Sequence, residues 1–158
     1  LAAKETAMNE STLSLRRHIA APPAAIWRCW TEPHLLMQWF APHPVKTVEA
    51  VLDVQPGGRF YTLMLLPDGT EHPTEGSFLL TQPGQRLVFT DCLLAGFRPA
   101  PKPFFTADIT LTEAPGGTDY QVHALHANGA GARRHAEMGF EAGWGAATEQ
   151  LAALAAGL

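Results

Sequence analysis

Three polar side chains, Asp91, His126 and His135, stand where acid–base or hydrogen-bonding chemistry could be set against an apolar surface. The first two emerge from strand parity, because alternate residues of a β-strand share a face. Over residues 104–111, Phe105, Ala107, Ile109 and Leu111 form an apolar row opposed by Thr106, Asp108 and Thr110. The same alternation puts Tyr120, Val122, Ala124 and therefore His126 on one face of the following strand. It puts Leu87, Phe89 and therefore Asp91 on one face of the strand before. On an earlier strand Phe60, Thr62 and Met64 are taken as the inward set. With one antiparallel strand between them, the strands of Asp91 and His126 run parallel and finish at one sheet edge, about 10 Å apart. That gap suits a shared small ligand and is too wide for a direct hydrogen bond. A helix beginning beyond the same edge brings His135 nearby. Two readings follow. The three groups form the polar end of a pocket, orienting a ligand or moving a proton, or the strand-end groups hydrogen-bond loop backbone.

Other chemistries find little support, and no metal or cofactor is expected. His123 and His126 are three apart, which on a strand places them on opposite faces, so they cannot chelate together. His18, His34, His43, His72 and His135 show no ligand spacing. No nucleophile elbow, phosphate-binding glycine loop or dinucleotide fingerprint occurs; Gly57-Gly58 and Gly116-Gly117 read as turn glycines. Cys29 and Cys92 lack metal or redox spacing and read as free buried thiols of a reducing compartment, the cytoplasm. The net charge is -4, and Arg16-Arg17 and Arg133-Arg134 are isolated basic pairs, so neither nucleic acid nor an anionic membrane surface is an expected partner. No stretch approaches the ~18 apolar residues of a spanning helix, so membrane insertion is not expected.

The elements that must position these groups follow from composition and pattern. Apolar residues make up 46% and charged residues 16%, the balance of an ordinary globular domain. Residues 1–12 read as a flexible leader, with Met8 as an alternative start, and 13–158 as a single domain. A strand at 13–20 meets Pro22-Pro23, which suit a helix start. A short helix over 24–30 then sets Ile26 and Trp30 on one face, and a second follows at 33–40. Strands at 45–54, 59–66, 75–81, 85–93, 104–113 and 118–126 have connections too short for parallel crossovers, so they form an antiparallel meander. The last segment, about 132–156, reads as one helix of about 37 Å. Phe140, Trp144, Ala147, Leu151 and Leu154 make its apolar stripe, and it must cover the sheet. Gly139, Gly143 and Gly145 each cost this helix about 1 kcal/mol relative to alanine. Close packing, room for a ligand, or a local bend would each account for them. Trp27 and Trp30 read as core anchors, and Trp39 as the tryptophan that reaches a pocket mouth. Tyr61, Leu63 and Leu65 would line an outer face, the basis for expecting a homodimer contact.

Several local words carry a resemblance. They are Ile19-Ala20-Ala21-Pro22 running into Ile26-Trp27-Arg28-Cys29-Trp30-Thr31, then Leu36-Met37-Gln38-Trp39-Phe40 and Pro56-Gly57-Gly58-Arg59-Phe60. Pro67-Asp68-Gly69-Thr70, Arg86-Leu87-Val88-Phe89-Thr90 and Met138-Gly139-Phe140-Glu141-Ala142-Gly143-Trp144 complete the set. With their order, the chain resembles the START-like or Bet v-like helix-grip superfamily (SRPBCC). More narrowly, it is similar to the bacterial domains grouped with activators of heat-shock-protein-90 ATPase and polyketide-cyclase-like proteins. The resemblance implies an α+β helix-grip fold: a curved antiparallel sheet of about seven strands, two short helices, and a long C-terminal helix packed across the sheet. Lipid carriers, co-chaperone domains and enzymes share that scaffold, so fold alone does not choose a function. The reading carried forward is binding of a hydrophobic small molecule or lipid between the C-terminal helix and the sheet. Its wall would comprise Trp39, Phe60, Met64, Phe89, Phe105, Tyr120, Phe140, Gly143 and Trp144, with Asp91, His126 and His135 at the polar end. The alternatives are an enzyme of cyclase or hydrolase type acting through those three polar residues, and a co-chaperone-type interaction domain.

Overall fold

The computed structural model describes residues 10–158; residues 1–9 of the expected leader lie outside them. Strand β1 (Thr12–Ile19) leads to α1 (Pro23–Thr31) and the single turn α2 (Pro33–Leu36). Strands β2 (Lys46–Leu52), β3 (Arg59–Leu65), β4 (Glu71–Gln82) and β5 (Arg86–Thr90) follow. A small hairpin, β6 (Leu93–Leu94) with β7 (Arg98–Pro99), precedes β8 (Phe105–Ala114) and β9 (Gly117–His126). Helices α3 (Gly129–Glu137) and α4 (Phe140–Ala156) end the chain. The main sheet has seven strands in the order β1-β9-β8-β5-β4-β3-β2, every pair antiparallel. The expected meander is present, closed at one edge by the first strand.

Each element follows from local chemistry. Pro23 opens α1, where its missing N–H needs no partner. Ala25, Ile26, Cys29 and Trp30 are buried at helical spacing, while Arg28 turns outward to pair with Glu32 at 2.7 Å. Pro33 then restarts the chain as α2, which is shorter than the helix expected over 33–40. Register irregularities between Thr47 and Glu49 and between Phe78 and Leu80 are bulges, which bend strands and raise their twist. The inner face holds Leu87, Phe89, Ala107, Ile109, Tyr120 and Val122, all buried. The aligned pairs Leu87↔Ile109, Ile109↔Val122 and Leu15↔Val122 run this apolar row across four strands. Tyr61, Leu63 and Leu65 lie half-buried on the other face, with the Arg59 guanidinium 4.5 Å above the Tyr61 ring.

The terminal helical stretch is not a single rod over 132–156. Met138 closes α3, and Gly139, at φ 95°, turns the backbone through the left-handed region before α4 begins. A side chain raises the cost of that region, and glycine removes it. The three helix glycines therefore stand in three different surroundings. Gly139 makes the bend. At Gly145 an added Cβ would sit 3.5 Å from Arg17 Nη2, the end of a flexible side chain and an ordinary contact, so packing does not demand glycine there. At Gly143 an added Cβ would meet nothing within 4 Å.

The two open-space glycines should answer alanine in opposite ways. Gly139→Ala should destabilise by about 1–2 kcal/mol because its φ is positive. Gly143→Ala should stabilise by about 0.5–1 kcal/mol because it sits inside a helix with room for a methyl group. Urea unfolding of both variants checks this, and shifts of the same sign would contradict it.

Candidate functional site

A cavity of about 350 Å³ lies between α3, α4, the segment 39–42 and the inner face of β3, β4 and β5. On the sheet side Phe60 stacks on Phe89 at 4.5 Å between ring centroids and contacts Phe78 and Phe40. On the helix side Trp144 meets Phe105 edge to face at 6.3 Å and Phe140 at 5.7 Å. Gly143 borders the cavity between them with no side chain to fill it. Met64 and His72, aligned neighbours on β3 and β4, stand at one rim, and the exposed Met138 stands at the other. A second hollow of about 440 Å³ lies beyond Trp39 and Phe40, along residues 37–48. Its rings are Trp39, Phe40 and His43. Its buried polar group, the Thr47 hydroxyl, already donates to the Phe40 carbonyl at 2.8 Å, so the first cavity, with more rings and with polar atoms left open, is the better candidate site.

The polar end is built by three neighbouring elements. The side chain of Asp91 follows β5, and its Oδ1 accepts from the backbone N–H of Phe104 at 2.7 Å and of Phe105 at 3.0 Å. One oxygen thus fixes the entry of β8, the loop-capping role. Asp91 also borders the cavity, and its Oδ2 has no protein partner among the described residues. His126, at the end of β9, has Nδ1 3.0 Å from the Ser11 carbonyl and Nε2 2.8 Å from His135 Nδ1 on α3. A carbonyl only accepts, so Nδ1 of His126 carries the hydrogen. Its Nε2 is then an acceptor, and His135 Nδ1–H is the donor. The neutral His135 ring consequently has a bare Nε2.

Burial pushes His135 down to about 4, and neighbouring His126 pushes it the same way. The ring is packed among Phe104, Phe105 and Phe140 at centroid distances of 4.9, 4.8 and 5.1 Å. These apolar neighbours cannot solvate an imidazolium.

Of the residues expected at the site, Trp39, Phe60, Met64, Phe89, Asp91, Phe105, His135, Gly143 and Trp144 border the cavity. Three do not. Tyr120 is wholly buried beneath α1, where its hydroxyl accepts from Trp30 Nε1 at 3.1 Å. Its inward parity is real, but β9 lies two strands beyond the cavity floor. Phe140 sits behind Trp144 and His135. His126 reaches the cavity through His135 rather than directly. Sequence reasoning missed Phe40, Phe104, His72 and Met138. Met138 was hidden by reading the two helices as one; His72 lies in the part of β4 ahead of the expected strand. The parity argument that separated His123 from His126 agrees with the structure, since His123 Nδ1 instead meets Ser14 Oγ at 3.0 Å. Cys29 is fully buried and its thiol is pushed up to about 11 by burial, whereas Cys92 is half-buried.

The tautomer assignment is directly observable. Long-range ¹H–¹⁵N spectra at neutral pH should show protonated Nδ1 and bare Nε2 on both His126 and His135, and His135 should titrate near 4. An unfolded histidine takes up its proton near 6.5. The unfolded chain therefore binds more protons between about pH 6.5 and 4, and stability falls as pH drops through that window. His135→Phe should lose less stability than the wild type between pH 7 and 4.5 in denaturant titrations; a steeper loss in the variant would contradict the assignment.

With the geometry established, comparison with known proteins adds a family. The family model described as "Activator of Hsp90 ATPase homolog 1-like protein" matches residues 20–156. A crystal structure of a Nitrosomonas europaea protein is 40% identical, covering 92% of this chain and 94% of that one with a TM-score of 0.89. A Mycobacterium smegmatis protein is 27% identical, covering 93% and 91%, with a TM-score of 0.78. An AHSA1-like protein from Aeromonas hydrophila, 22% identical over 90% of each chain at a TM-score of 0.68, shares the fold. A search of curated proteins returns no match. No helix among the described residues is long and apolar enough to cross a membrane. A family match over most of its length, on a seven-stranded helix-grip sheet, makes this chain a member of the Activator of Hsp90 ATPase homolog 1-like family.

Proposed function

We propose that this protein binds a hydrophobic small molecule in the hollow between α4 and the sheet. The observation that carries this reading is Gly143. A helix position facing a ring-lined cavity carries no side chain, at a cost of about 1 kcal/mol to the helix. Packing does not require that bareness, since nothing approaches within 4 Å. Room for a ligand does. The volume, about 350 Å³, falls in the lower range of small-molecule sites, and the wall has their mix of aromatic faces with a few polar groups. A ligand that hides about 200 Å² of apolar surface gains roughly 5 kcal/mol, before the loss of translational and rotational freedom.

The polar end favours binding over catalysis. A general base works best when its pKa lies near the operating pH. His135, held down at about 4, is a weak proton acceptor at neutral pH and a good hydrogen-bond acceptor. Asp91 has one oxygen committed to two backbone amides.

The neutral fluorophore N-phenyl-1-naphthylamine tests the reading. It should bind the wild type with enhanced, blue-shifted emission. Gly143→Leu, which fills the cavity from the helix side, should weaken binding by at least about tenfold, or 1.4 kcal/mol. Thermal melting of the variant should show a folded protein. Equal binding by wild type and variant would put the probe elsewhere and remove the support for this site.

A further inference from the structure

The histidine pair says what kind of molecule the cavity takes. Among the described residues every buried side-chain nitrogen and oxygen has a hydrogen-bond partner. His135 Nδ1 has one in His126, whereas Nε2 has none. Nε2 is therefore not sealed in the core, and His135 borders the cavity. The Ser11 carbonyl fixes the His126 tautomer and, through it, the tautomer of His135. What His135 offers a ligand is a lone pair held in place by two successive hydrogen bonds.

The charges around the cavity point the same way. Among the described residues its wall contains no lysine or arginine. Of the acidic residues bordering it, Glu75 is ion-paired with Arg59 and Asp91 keeps an oxygen without a protein partner. Trp144 contributes an indole N–H with no protein partner among the described residues. The Thr74 and Thr90 hydroxyls of the wall are already hydrogen-bonded within the sheet, and His72 is exposed at the rim. Inside the cavity a desolvated carboxylate would meet one neutral donor where it needs a cation or several convergent donors. An ether or hydrocarbon of the same shape would leave the His135 lone pair desolvated and unpaired, and that is penalised as well.

We infer that the cavity selects a neutral, mostly apolar alcohol or phenol whose hydroxyl donates to His135 Nε2, and that it rejects free carboxylic acids in their ionised form. The inference rests on the cavity being a binding site and adds the class of ligand. The histidine relay is then a specificity device: it presents an acceptor where a fatty-acid carrier would present a donor or a cation.

Three ligands of nearly one shape decide it: 4-pentylphenol, its methyl ether 4-pentylanisole, and 4-pentylbenzoate, each competing with N-phenyl-1-naphthylamine at pH 7.5. The phenol should bind about tenfold more tightly than the ether, although hydrophobicity alone favours the ether. The benzoate should bind most weakly. His135→Phe should erase the gap between phenol and ether; should that variant not fold, the order measured on the wild type decides alone. An ether or benzoate that matches the phenol on the wild type overturns the inference and leaves the binding site standing. If neither the fluorophore nor any of the three binds, the site reading falls, and the inference with it.

Discussion

A straight helix cannot seal the concave face of a bent sheet unless large side chains fill the space between them, and in this protein they do not. The bulges after Thr47 and Phe78 bend the β2–β5 half of the sheet. The backbone contacts of α4 with the rest of the fold are most extensive at α1 and at β1, the opposite edge strand. The helix is thus anchored on one side and stands off on the other. Under its anchored part Leu151 and Ala155 pack against the core built by Ile26, Trp30 and Tyr120. Under its raised part Gly143 leaves the space open. Cavity, rim and polar end all follow from this mismatch.

Two buried polar arrangements serve different ends within that frame. The Trp30 indole N–H donates to the Tyr120 hydroxyl across α1 and β9, so two bulky amphipathic rings can fill the core with each polar atom in a hydrogen bond. The histidine pair joins β9 to α3 but leaves its last nitrogen unmatched. The first arrangement closes the structure. The second stops one bond short, at the cavity wall. Asp91 combines both roles, with one oxygen holding the start of β8 and the other without a partner among the described residues.

Much of the fold was legible in the sequence, because turn glycines and prolines punctuate the strands and alternation marks their faces. The row Phe105, Ala107, Ile109, Leu111 and its neighbours on β5 and β9 gave the sheet interior and brought Asp91, His126 and His135 to one edge. Parity, however, reports which face a residue occupies and not what lies above it. Tyr120 points inward and meets α1, whereas Phe89 points inward and meets the cavity. The break at Gly139 was written in the sequence only as a glycine in a helical pattern, and its sign of φ is set by how α3 and α4 dock. The bond between His126 and His135 depends on that same docking. It joins a strand end to a separate helix, and no spacing rule anticipates it.

The central claim is that an unfilled apolar space exists between Gly143 and the stacked rings of Phe60 and Phe89. Crystals of the protein pressurised with xenon test it most directly, since xenon collects in apolar cavities. The structure predicts a xenon peak within contact distance of Phe60, Phe89 and Trp144. No peak there, with Trp144 collapsed onto the two phenylalanines, would contradict it.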